Sequence, residues 1–170
     1  MLYLVVCAAP PCQHITGLVD LLQDAGWGVQ VIATPTATTW MRIDEVEQRT
    51  NHPVLHRQRH PDEPSLLPRA DAIMIAPATF NTINKWAAGI NDSLALGVLN
   101  ESLGAELPIV ASIYAKPVLT SHPAFATHLQ LLREAGVRFT DIEALRPSQP
   151  DEPFRWHAVA NLLADASTSS

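Results

Sequence analysis

The sequence predicts an α/β fold, a three-layer Rossmann-like (doubly wound) parallel sheet flanked by helices. Three observations predict it. Short, continuously apolar segments recur along the chain, too short for most helices and of the kind buried on both faces of a parallel sheet. Segments with apolar residues at helical spacing alternate with them, which calls for parallel strands and right-handed crossovers. Glycine and proline stand at most of the junctions.

Taken in order, Leu2–Ala8 is the first strand, bounded by Pro10-Pro11. Ile15, Leu18, Val19, Leu21, Leu22 and Ala25 mark a helix that Gly26 ends. Val29–Ala33 is the second strand and Ala72–Ala76 the third, closed by Pro77. A helix follows from about Asn81, the expected cap, to Ala88, with Gly89 as its stop. Another runs from near Asp92 to Leu103, ended by Gly104. Pro108–Ser112 is the fourth strand. Pro123–Ala135 is helical with Gly136 beyond it, Val137–Phe139 is a short last strand, and Trp156–Ala164 is an amphipathic helix. Residues 1–165 are expected to form one domain and residues 166–170 a frayed tail. Two proline-rich segments, Thr50–Pro68 and Arg146–Pro153, break the alternation, and the first carries His52, His56 and His60. Loops of that length inside a compact domain tend to be functional or mobile.

Composition excludes several classes. The chain has 170 residues, 47% of them hydrophobic, so it can bury a core large enough to offset the entropy of ordering. Its net charge is −6 and it has only two lysines, Lys85 and Lys116. Groove-length nucleic-acid binding and electrostatic membrane anchoring both need clustered Lys and Arg, so neither is expected. No apolar run approaches the ~20 residues of a membrane helix. The apolar start Met1–Ala9 has no basic residue before it, unlike a secretory signal. Cys7 and Cys12 are neither a disulfide framework nor a C-x-x-C motif. A reduced, cytoplasmic protein is the expectation.

Ligands of open α/β sheets bind beyond the carboxyl ends of the strands. That rule selects Pro10–Gln13, Thr34–Ala37, Pro77–Thr82 and Ile113–Lys116. Thr34 and Thr36 place two hydroxyls at one strand end, and Thr79, Asn81 and Thr82 do so at another. Hydroxyls beside the free N–H groups of helix starts suit a phosphate, although Thr and Asn are also ordinary N-caps. G-x-G-x-x-G and P-loop motifs are absent, so NAD and ATP lack their usual signatures.

The run Ala76-Pro77-Ala78-Thr79-Phe80-Asn81-Thr82, continuing through Lys85, Gly89 and Asp92-Ser93-Leu94, resembles the Pro-Ala-Ser-Ala-Asn-Thr segment of the homo-oligomeric flavin-containing cysteine decarboxylases. That family includes phosphopantothenoylcysteine and lantibiotic peptidyl-cysteine decarboxylases. Val29–Ala37 and His122-Pro123-Ala124-Phe125 extend the likeness over most of the chain. It implies FMN as cofactor and a homo-oligomer, a trimer or a multiple of trimers, with the flavin near a subunit interface. Thr34 and Thr36 would approach the phosphate and ribityl chain. Thr79, Phe80, Asn81 and Thr82 would line the same site, with Tyr114 near the flavin.

Three segments depart from the family pattern. Pro10 and Pro11 replace a Gly-Ser turn and remove two N–H donors, leaving Cys12, Gln13 and the threonines for the phosphate. Pro53-Val54-Leu55-His56 looks like the segment of the family's catalytic histidine, but ungapped spacing lands on Glu63, so His56, His60 and Glu63 all remain candidates. Lys116 stands where the family's substrate-binding Asn would be, and a lysine binds a carboxylate or phosphate as a point charge. The expected function is FMN-dependent decarboxylation of a small thiol-acid or cysteinyl substrate, with His56 as base and Lys116 on the substrate. The alternatives are a flavin prenyltransferase-like transferase and a non-enzymatic flavin-binding regulator.

Overall fold

The computed structural model describes residues 1–105 and 107–167. Its sheet has five parallel strands in the order β2-β1-β3-β4-β5. They are β1 (Leu2–Val6), β2 (Val29–Ala33), β3 (Ala72–Ala78), β4 (Ile109–Ile113) and β5 (Arg138–Phe139). The predicted class therefore holds. Seven α-helices are described: α1 (Thr16–Asp24), α2 (Ile43–Thr50), α3 (Phe80–Ala87), α4 (Leu94–Leu103), α5 (Pro117–Thr120), α6 (Pro123–Glu134) and α7 (His157–Ser167).

Strand side chains alternate between faces, and the two layers follow from that alternation. Leu2, Leu4 and Val6 of β1 pack with Leu18 and Leu22 of α1, Val46 of α2 and Val159 and Leu163 of α7. Val5 of β1 and Ile73 and Ile75 of β3 pack with Trp86 of α3, Leu99 of α4 and Phe125 of α6. The strand order reverses between β1 and β3, the switch point at which open α/β sheets bind ligands.

Several local expectations change. β3 does not stop at Ala76 but continues through Pro77 to Ala78. The β3–β4 register shifts between Ile75 and Ala78, and this irregularity accommodates a residue that has no N–H to pair. At the helix start expected after Thr34–Ala37 the chain forms a 3-10 turn, Ala37–Thr39, and α2 follows it; the apolar pattern does not delimit α2, because only Val46 and Thr50 of its residues are buried. α7 extends past Ala164 to Ser167 and buries Ala166 in the core; the rest of the expected tail, residues 168–170, lies outside the described residues.

The long segment after α2 is tied down at both ends. Leu55 forms a parallel bridge with Ile32 on the β2 edge, its N–H donating to Val31 O at 3.1 Å and its carbonyl accepting from Ala33 N at 2.8 Å. Buried Gln30 donates to Pro53 O at 2.8 Å. At the far end, Tyr3 donates its hydroxyl to Pro68 O. Residues 56–62 between these ties are all exposed.

Candidate functional site

Beyond the carboxyl ends of β1, β2 and β3 lies a cavity of about 420 Å³, within the ~300–1,000 Å³ range of small-molecule sites. Thr34, Thr36, Thr79, Asn81 and Thr82 all line it, together with Ala8, Pro35, Lys85, Asp92, Ser93 and Leu96. The structure thus gathers five of the expected cofactor residues from two strand ends that are far apart in sequence.

Each is held by its local structure. The β1–β2 ladder is extended by Thr34 N–H donating to Val6 O at 2.9 Å, which places the Thr34 side chain at the cavity wall. The hydroxyls of Thr38 and Thr39 donate to the Pro35 and Thr36 carbonyls at 2.7 and 2.8 Å, closing the turn behind them. Thr34 Oγ1 is buried and has no hydrogen-bond partner among the described residues. An orphaned buried hydroxyl costs free energy, so it marks a place where a bound polar group would be stabilised.

On the other wall Thr79 is the N-cap of α3, its Oγ1 accepting from Thr82 N at 3.3 Å. This corrects the expectation that Asn81 caps the helix. Asn81 lies inside the first turn and its side chain is exposed at the cavity, free of a capping bond. Ser93 caps α4 in the same way, accepting from Leu96 N at 3.3 Å. The N-termini of α3 and α4 therefore both border the cavity, favourable surroundings for an anion. Lys85 Nζ, 2.5 Å from Asp92 Oδ2, adds an ion pair at the wall. Lys85, Asp92 and Ser93 belong to the same family-like stretch, Ala76–Leu94, but nothing in their residue types points to the cavity. Their role depends on the fold-back from α3 to α4 around Gly89, whose φ of 69° suits glycine.

The other expected residues go elsewhere. Phe80 stacks on Phe125, centroids 5.7 Å apart, and meets His122 edge-on at 5.9 Å, so its ring belongs to the α3–α6 contact. Tyr114 packs in the opposite layer, with the Arg146 guanidinium 4.4 Å above its ring and Phe154 at 5.9 Å. Arg146 also donates to Ala115 O at 2.6 Å, pinning the second proline-rich segment to the end of β4. Pro11 and Cys12 are buried in a 3-10 turn, Pro10–His14. Cys12 N–H donates to Ala9 O at 2.8 Å and its thiol joins the α1-side core, so neither of its polar groups faces the cavity. Lys116 is exposed at the start of α5.

His56 is exposed and lines a second, larger cavity of about 850 Å³ between the proline-rich loop and α4. Glu63 lines it too, held by Arg57 in a two-pronged pair at 2.9 Å, and that pairing with the His60 N–H keeps its carboxyl below the usual range. His60 is exposed beside Asp62 at 3.3 Å. Of the three candidates for the base, none lines the cradle cavity of its own chain.

The chain matches the flavoprotein family over residues 2–159. Among curated relatives it is 28% identical over 130 residues to the coenzyme A biosynthesis bifunctional protein CoaBC of Bacillus subtilis, covering 73% of this chain and 31% of that protein. It is 39% identical over 67 residues to a cysteine/cysteine sulfinic acid decarboxylase of an unknown prokaryotic organism, covering 39% of this chain and 18% of that one. The chain spans less than a third of the length of these relatives. Among solved structures it is similar to the FMN-dependent cysteine decarboxylase SpaF, with 23% identity, a TM-score of 0.77 and coverage of 98% and 96% of the two chains. It is also similar to the FMN-binding protein AtHal3, with 16% identity, a TM-score of 0.80 and coverage of 99% and 97%. At those identities the structures establish the shared fold. The family match over nearly the whole chain establishes more: this chain is a member of the flavoprotein family.

Proposed function

We propose that the protein binds FMN in the cavity at the β1–β3 switch point and uses it for oxidative decarboxylation of a small thiol-acid or cysteinyl substrate. The observation that carries the reading is the buried Thr34 Oγ1, without a partner among the described residues, in the wall of a cavity that two helix N-termini border. These residues fit a phosphate-bearing flavin, and the absence of a dinucleotide glycine turn favours FMN over FAD. The decarboxylase names among the relatives support the choice of reaction.

Bound flavin would supply a two-electron acceptor for the substrate carbon. The protein's part is placement. Thr34 and Thr36 would hold the phosphate side and Thr79, Asn81 and Thr82 the other wall, while the Lys85–Asp92 pair would fix the α3–α4 turn. Lys116, exposed, would meet a substrate carboxylate as a point charge. His56 would serve as base, histidine being the side chain most often used for general acid–base catalysis.

Because His56 lies outside its own cradle cavity, the reading extends to a homo-oligomer, a trimer or a multiple of one. Helix α4 does not itself require this, because Ala95, Leu96, Val98 and Leu99 are already buried within one chain. Trp40 and Ile90, each 42% exposed, and Val118, 75% exposed, offer the apolar surface an interface would cover. Placing the protein in the cytoplasm, as its two free cysteines suggest, belongs to the same reading. Among the described residues no helix is long and apolar enough to cross a membrane.

Mass spectrometry of the heat-released cofactor tests the cofactor, with FMN expected; FAD, or no flavin after titration with FMN, overturns it. Anaerobic addition of cysteinyl acids should bleach the 450 nm band. A non-enzymatic flavin-binding role is the second reading, favoured by the exposed His56, which lies outside the cradle cavity, and it predicts no bleaching by any such acid.

A further inference from the structure

Cys7 follows the last residue of β1, and the alternation of that strand turns it toward the α3 layer with Val5. It is 1% exposed. Burial is the main influence on its thiol and pushes it up from its ordinary pKa, against hydrogen bonds from Thr82 and Thr79 that favour the thiolate. Cys7 is thus a neutral thiol with one S–H to donate.

Its Sγ donates to Thr82 Oγ1 at 3.3 Å, and Thr82 Oγ1 lies 3.1 Å from Thr79 Oγ1. Thr79 Oγ1 also accepts the Thr82 N–H at 3.3 Å. A hydroxyl has one proton and two acceptor sites, so the chain can be followed outward. Thr82 accepts from the thiol and passes its own proton to Thr79. Thr79 then accepts twice, from the N–H and the O–H of Thr82. Its own O–H is left with the weak acceptor Cys7 Sγ, and Thr79 lines the cradle cavity, where a stronger acceptor would take it.

We propose that Cys7 is a positioning residue for the cofactor site: its thiol orients the Thr82–Thr79 pair so that Thr79 presents a hydrogen-bond donor to the bound group. The partner is then an acceptor atom, a carbonyl oxygen, ring nitrogen or phosphate oxygen of the flavin. Without the thiol, the hydroxyl pair gains a second orientation in which the Thr79 proton turns back to Thr82. The inference rests on the flavin reading above.

The test titrates the cofactor-stripped full chain with FMN, followed by flavin fluorescence, for the native protein and for Cys7→Val, Cys7→Ser and Thr82→Val. Cys7→Val should bind FMN about fivefold more weakly, the fold-change of one neutral hydrogen bond. Cys7→Ser, which restores a donor, should return within about twofold of native. Adding Cys7→Val to Thr82→Val should cause no further loss, as expected for groups acting in one chain. Native-like affinity in Cys7→Val overturns the proposal, and so does an equal loss in Cys7→Ser, which would make Cys7 a matter of packing. If Cys7→Val does not fold, Thr82→Val decides, with native-like FMN affinity as the overturning result. A native protein that takes up no FMN removes the flavin reading and the relay together, whereas tight native binding with indifferent variants removes the relay alone.

Discussion

The two sides of α4 are built differently. On one side the cradle cavity is framed by helix caps, strand ends and a packed helix: Thr79 caps α3, Ser93 caps α4, and Trp86 anchors α3 in the core at 1% exposure. On the other, the larger cavity is framed by loop residues 54–67, among them exposed His56 and Arg57, whose ion pair with Glu63 is open to solvent. The first wall is set by secondary structure that the core enforces. The second hangs between two ties, at Leu55 on β2 and at Pro68 under Tyr3. A binding site that must hold a rigid ring gains from the first construction. A residue that must approach and withdraw is compatible with the second.

The sharpest test of that contrast is His56→Asn. If the loop delivers the base, turnover of a cysteinyl acid should fall by ~10²–10⁴ while the FMN content stays native. Unchanged turnover would assign the loop no chemical part, and lost FMN would mean that loop and cradle are one structure. Trp86→Ala should remove about 3–5 kcal/mol of stability, because it empties a fully buried site beneath α3. Chemical denaturation measures this, and a loss under about 1 kcal/mol would contradict a core-enforced cradle.

Two cavity residues separate capping from binding. Thr79→Ala should cost about 1 kcal/mol through the lost cap and weaken FMN as well. Asn81→Ala should weaken FMN with little change in thermal midpoint, because Asn81 does not cap α3. Equal destabilisation by both would return the cap to Asn81. The smallest effect is expected at Glu63. Its carboxyl is held low by Arg57, so the pair's contribution is present above the unfolded carboxylate pKa of ~4.3 and is lost as pH falls through the lower folded value. Solvent screens the pair, so Glu63→Gln at pH 7 should leave the thermal midpoint unchanged and only raise protease cleavage between residues 56 and 67. A clear drop in the midpoint would show that the loop supports the fold.

Much of the architecture was legible because it follows from short-range rules. Mostly apolar runs at β1, β2, β3 and β4, interrupted only by Gln30 and Ser112, say strand buried on both faces. Gly26, Gly89 and Gly136, all with positive φ, stand where the helices were expected to stop. That Thr34 and Thr36 share an edge of the sheet with Thr79 and Thr82 also follows from the sequence alone, since parallel strands bring their carboxyl ends to one edge. The cap at Thr79 rather than Asn81 was not legible, because both residue types cap helices and only the start of the helical backbone chooses between them.

Tertiary structure decided the facing of the remaining residues. Tyr114 and Cys12 turn to the α1 layer while Cys7 turns to the α3 layer, because register and twist, not residue type, assign a strand-end side chain to a face. Phe80 leaves the cavity because Phe125 and His122, more than forty positions along the chain, offer its ring a better apolar contact. His56 is set beside β2 by one long-range bridge at Leu55, which no local pattern specifies. The sequence by itself determined the α/β alternation and the edge of the sheet that carries polar groups, since both depend on neighbours a few residues apart. Which of those groups meet in one cavity was settled by packing between distant segments, where burial energy, summed over both layers, outweighs the preference of any single residue.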